Sequence, residues 1–141
     1  MIFTTRDPRE ADRFVNSLPF SDEEKAQIKT FFPTIEELMV QMKKNKGFNS
    51  KGGERWFVGR LQTKVQNAME NIEDRPGVSP IVLQFLASQI ACMEETMAIV
   101  KECDCDDDLT GNLRLFVQLL EQIWAKYTDS NQDDDTNEDF N

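Results

Sequence analysis

Residues 43–64, KKNKGFNSKGGERWFVGRLQTK, hold seven cations (Lys43, Lys44, Lys46, Lys51, Arg55, Arg60 and Lys64) against the single acid Glu54, in a chain of formal net charge -10. Their chemistry is anion recognition. Lysine and arginine neutralise phosphate or carboxylate groups, and Trp56 among them adds a flat face for stacking or for a cation. On a helix through this stretch Trp56, Arg60, Lys64 and Asn67 fall at i, i+4, i+8 and i+11, so an aromatic and two cations share a ridge. Gly47, Gly52 and Gly53 precede that ridge, and glycine lets backbone amides approach an anion closely. The run KGGERW lacks the GxxxxGK spacing followed by Ser or Thr and follows no strand, which excludes a phosphate-cradling P-loop. The candidate basic surface is therefore Lys43, Lys44, Lys46, Lys51, Arg55, Trp56, Arg60 and Lys64.

A second candidate surface is acidic: Asp104, Asp106, Asp107 and Asp108 in CDCDDD, with Asp133, Asp134 and Asp135 further on. Counted from Asp106, the residues Asp108, Thr110, Gly111 and Leu113 follow positions 3, 5, 6 and 8 of an EF-hand loop. Position 12, however, is Val117, where calcium requires a bidentate Glu, so no metal site is expected. Cys103 and Cys105 supply two soft ligands with no second pair, and the acids around them disfavour a thiolate. There is no histidine, hence no His base, no Ser-His or Cys-His pair and no His ligand. Carboxylates abound without a spacing tied to a reaction. No catalytic residues and no cofactor are expected, and the chain reads as not an enzyme.

The elements that must position these groups are helices, because no alternating strand pattern is sustained anywhere. Asp7 and Pro8 open a short helix that Pro19 ends, and Ser21 with Glu24 forms a capping box for a helix over about 22–31. Pro33 interrupts; Thr34 and Glu37 predict a restart carrying Ile35, Leu38, Met39 and Met42. GFNSKGG, residues 47–53, reads as a loop. A helix over about 54–73 presents Val58, Leu61, Val65, Ala68 and Ile72 on one face. DRPGVSP turns the chain into a long helix ending near Glu102, striped with Leu86, Ile90, Met93, Met97 and Val100. A final helix carries Leu109, Leu113, Phe116, Leu120, Ile123 or Trp124, and Tyr127. The methionines at these spacings read as core, whereas Phe31 and Phe32 suit either a packed kink or a protruding contact.

The expected fold class is all-α: a compact antiparallel bundle of three longer helices covered by short N-terminal ones, with residues 1–128 as one domain. Residues 129–141 carry six acids and little to bury, and are expected to be a disordered acidic tail. The longest apolar run falls far short of the ~20 residues that cross a bilayer, and MIFTTRDPREADRF lacks the apolar core of a secretory signal. Three cysteines give no disulfide framework, so a cytoplasmic or nuclear location is expected. The leading functional expectation is a non-enzymatic helical interaction module, an adaptor or inhibitor with a protein partner, acting as a monomer or helical homodimer. The alternatives are nucleic-acid binding through 43–64 with the tail modulating access, and an acidic surface that imitates phosphate.

Overall fold

Helix α6, Pro80–Glu102, is the axis of the molecule, with α5, Gly53–Glu70, against one side and α7, Asp107–Asp139, against another. The computed structural model describes residues 8–102 and 107–139, with side chains over 9–102 and 107–128. Among these, every element is a helix: α1 (Pro8–Ser17), α2 (Asp22–Lys29), α3 (Phe32–Lys44) and α4 (Lys46–Ser50) precede α5. Helices α2 and α3 pack on α7, α1 packs on α2, and α4 joins α3 to α5. No helix of the described residues is long and apolar enough to cross a membrane.

The all-α bundle expected from the helical period is thus what forms, and its core explains the chosen register. Leu86, Met93 and Val100 of the expected α6 stripe are buried and Ile90 and Met97 are partly buried, but Phe85, Cys92 and Ile99, about a quarter-turn round the helix, are buried too. A helix apolar on more than one side must be enclosed, which is why α6 sits between the other two long helices. On α7, Leu113, Phe116, Leu120 and Ile123 are buried as expected, and Phe31 stacks on Phe116 with ring centroids 4.9 Å apart. Phe20 sits edge-on to both Phe85 and Tyr127 at 5.7 and 5.8 Å. Phe31 and Phe32 are therefore packing residues, and Met42 and Met93 are core.

Capping chemistry sets the boundaries. Ser21 Oγ accepts from Glu24 N at 3.1 Å while Glu24 Oε1 accepts from Ser21 N at 3.0 Å, completing the expected capping box. Three boundaries differ from the sequence reading. Helix α3 begins at Phe32 with Phe31 as N-cap rather than at Thr34, because Pro33 fits the first turn of a helix, where no amide hydrogen bond is lost. The stretch read as a loop contains α4, held by Asn45, whose side chain accepts from Phe48 N at 3.2 Å, and by Phe48, which is fully buried. Only Lys51 and Gly52 separate α4 from α5; Gly52 and Gly53 take positive φ of 113° and 63°, which an L side chain adopts only with strain. Finally, α5 ends at Glu70 and buries Phe57 and Leu61 fully, with Val58 and Val65 only partly covered. The larger ring of Phe57, tilted against Phe48 at 5.9 Å, turns the inward face toward itself. Helical backbone continues to Asp139, into the stretch for which the sequence predicts disorder.

Candidate functional site

Two α5 positions fix the geometry of the basic ridge. Arg60 Nη2 lies 2.5 Å from Glu95 Oε2, and Ala68, eight residues on, shares a cleft with Ala87, eight residues back along α6. That matched step is antiparallel packing, and it places the outer ridge of α5 beside Glu95. Glu95 is an acid buried on α6, its side chain only 8% exposed. Removing a carboxylate from water costs several kcal/mol, roughly, unless a cation meets it, so Glu95 dictates where the Arg60 guanidinium goes.

Arg60 also lies over the Trp56 ring, 5.3 Å from its centroid, and Lys51 Nζ lies 5.2 Å from the same centroid. The indole is thus held by two cations and by Phe48, edge-on at 6.0 Å. Around it opens a cleft of about 500 Å³ lined by Arg55, Trp56, Gly59, Arg60, Thr63, Lys64 and Glu95. Gly59 leaves a notch in its wall, since a Cβ there would meet nothing within 4 Å.

The expected basic surface therefore divides. Arg55, Trp56, Arg60 and Lys64 converge on the cleft. Lys51 reaches Glu102 at 3.1 Å, and Lys43 reaches Glu54 at 3.7 Å. Lys44 ends α3 and Lys46 begins α4, both exposed and neither lining the cleft. Three of the seven cations are spoken for within the chain. Of the acidic candidates, Asp107 and Asp108 stand exposed in the first turn of α7, where the helix dipole favours them. Asp104 and Asp106 lie outside the described residues, as do the side chains of Asp133, Asp134 and Asp135. Among the described residues no group of three or more acids, cysteines or histidines is placed to hold a metal.

A second ionic knot lies elsewhere. Glu24 Oε2 accepts from Lys126 Nζ at 2.8 Å and Glu24 Oε1 from Tyr127 Oη at 2.9 Å, tying α2 to α7. Burial alone pushes the Glu24 carboxyl up, but the hydrogen bonds from Lys126, the Ser21 amide and Tyr127 outweigh it and hold the group below its ordinary value. Burial and the adjacent carboxylate push the Tyr127 phenol up to about 12, and burial pushes the Cys92 thiol up to about 12, so Cys92 is an inert core residue.

Sequence reasoning missed Glu95, and it read Glu24 as half of a capping box but not as the acceptor from Lys126 and Tyr127. The signal is weak: each is an acid on one helix whose partner on another is known only once the helices are in register. Comparison of the chain with protein families, with characterised proteins and with solved structures finds no match.

Proposed function

We propose that the protein is a non-enzymatic helical interaction module that receives an acidic segment of a partner protein in the Trp56 cleft. The observation that carries this reading is the convergence of Arg55 and Lys64 on a cleft whose wall is an indole already braced by Lys51 and Arg60. Arg60 is neutralised by Glu95, which leaves Arg55 and Lys64 to meet the incoming carboxylates, with Trp56 and the Gly59 notch taking an apolar neighbour. A rigid aromatic beside arginine is the composition of a protein-binding hot spot.

Nucleic-acid binding is the weaker reading. A duplex presents a charge about every 1.7 Å, and a chain of net charge -10 with three of its seven segment cations paired internally offers it few contacts. A cytoplasmic or nuclear location belongs to the same proposal and accords with Cys92 being a thiol rather than half of a disulfide.

The test is a fluorescence-anisotropy titration of the full chain against a labelled acidic peptide carrying one aromatic, and against single- and double-stranded oligonucleotides, over a salt series. Peptide binding that falls at least tenfold in the Arg55→Ala/Lys64→Ala variant is expected. Oligonucleotide binding with a steep salt slope, and none to peptide, would replace this reading with the nucleic-acid one.

A further inference from the structure

The two tryptophans differ in one respect. Trp56 has its cations supplied by the chain: Lys51 lies over its ring, and so does Arg60, itself paired with Glu95. Trp124, half-buried on α7, lines a second cleft of about 390 Å³ together with Ala68 of α5 and the α6 residues Ala87, Ile90 and Ala91, which share a helix face at i, i+3 and i+4. Glu94 and Glu121, both exposed, line it from α6 and α7, while Glu95, next to Glu94 in sequence, turns to Arg60. A smaller cleft of about 280 Å³ adjoins it, sharing Ala68, Ala87 and Trp124 and adding Glu73 and Arg75. Indole and carboxylate thus meet here as they do at Trp56. Among the described residues, however, no cation lies over the Trp124 ring, and neither Glu94 nor Glu121 has an ion-pair partner.

The cations around this cleft are engaged or belong to the other one. Arg75 Nη1 donates to the Thr128 carbonyl at 3.0 Å, and Lys126 Nζ donates to Glu24 Oε2 at 2.8 Å. Lys64, one turn before Ala68 on α5, lines the Trp56 cleft and not this one. The charge that Arg60 supplies at Trp56 therefore has no counterpart here, and the field of Glu94, Glu121 and Glu73 favours a cation from outside. We propose that the Trp124 cleft receives an arginine from a basic segment of a partner protein, its guanidinium stacked on the indole and donating to Glu94 and Glu121. Arginine suits the cleft better than lysine, because a planar, weakly hydrated guanidinium stacks on an aromatic face and donates to carboxylates in its own plane at the same time. Ala87 and Ala91 leave room for an apolar neighbour of that arginine, which makes the site a second hot spot of opposite sign to the first.

The test uses the full chain and a labelled helical peptide with arginine and leucine one turn apart, beside the same peptide carrying citrulline, the neutral isostere, in place of arginine. Fluorescence anisotropy should show binding of the arginine peptide that weakens at least tenfold with citrulline and at least tenfold in Glu94→Gln/Glu121→Gln. Glu36→Gln/Glu37→Gln removes as much charge from exposed positions of α3 outside the cleft and should change binding less than twofold. All four positions are exposed, so the variants keep the core, which circular dichroism checks. In a proton–nitrogen correlation spectrum the indole N–H of Trp124, assigned with Trp124→Phe, should shift on titration while that of Trp56 stays in place. No binding of the arginine peptide overturns the proposal. So do equal losses in the two double variants, which mark a general attraction to an acidic chain, and so does a shift confined to Trp56. Glu94 and Glu121 do not line the Trp56 cleft, so Glu94→Gln/Glu121→Gln should bind the acidic peptide as the native chain does, and the two readings fail separately.

Discussion

Arg60 and Glu95 form an ion pair across the α5–α6 seam in which the acid is buried and the base spans from it to the face of Trp56. The pair does two things at once: it satisfies a carboxylate in the core and fixes the ring that walls the cleft. Arg60→Ala strands Glu95, and because Arg60 is 38% exposed and water can partly replace it, the cost is about 2–3 kcal/mol, below that of a fully enclosed pair. The double variant Arg60→Met/Glu95→Gln should recover at least half of that loss. Urea midpoints of the three proteins check it; equal loss in the single and double variants would show that the pair is not the cause.

Acid should loosen the contact between α2 and α7. The Glu24 carboxyl is held below its ordinary value of 4.5, so its ionised form contributes stability that is fully present above that value and is lost as pH falls through the lower folded value. Glu24→Gln should flatten the decline of stability below about pH 4.5 and cost about 1–2 kcal/mol at neutral pH through the weakened cap and lost ion pair. Chemical denaturation at a series of pH values reads both. Tyr127 has the opposite sign: its stabilisation is present below 10 and fades as pH rises toward 12.

Gln89 is 1% exposed, and its Oε1 has no hydrogen-bond partner. Gln89→Met keeps the shape and removes the unsatisfied acceptor, so stability should rise by about 1 kcal/mol. A lowered melting temperature would indicate that the amide is satisfied in solution.

Two glycines of α5 should respond in opposite directions. Gly53→Ala forces an L side chain to φ +63° and should cost about 1 kcal/mol. Gly59→Ala lies inside the helix with open space at its Cβ and should gain about 0.5–1 kcal/mol, while filling the notch beside Trp56 and weakening acidic-peptide binding. Thermal melts and the anisotropy titration separate the two effects.

The helices were legible because apolar spacing on α6 and α7 and the Ser21–Glu24 box are local signals. Helix α4 was not, because KGFNS, with Gly47, Asn49 and Ser50, forms a helix only when Asn45 caps it and Phe48 is swallowed by the core. The ridge of Trp56, Arg60 and Lys64 was readable from spacing alone, as was its basic character. What spacing could not give was Glu95, since an acid in ACMEET acquires a partner only when α5 lies antiparallel at one particular register. For the same reason Lys43 and Lys51, counted with the basic surface, turn out to be engaged with Glu54 and Glu102.

The central place of α6 also bears on how quickly the chain finds its structure. Its two principal neighbours, α5 and α7, are the elements just before and just after it, so most of the core assembles from short loop closures, which favours rapid folding. The Glu24–Lys126 tie joins residues 102 positions apart and belongs to a late step in which the N-terminal helices seat on α7. Lys126→Met should therefore speed unfolding while leaving the refolding rate nearly unchanged, because a contact made after the transition state sets how long the native state lasts rather than how fast it forms.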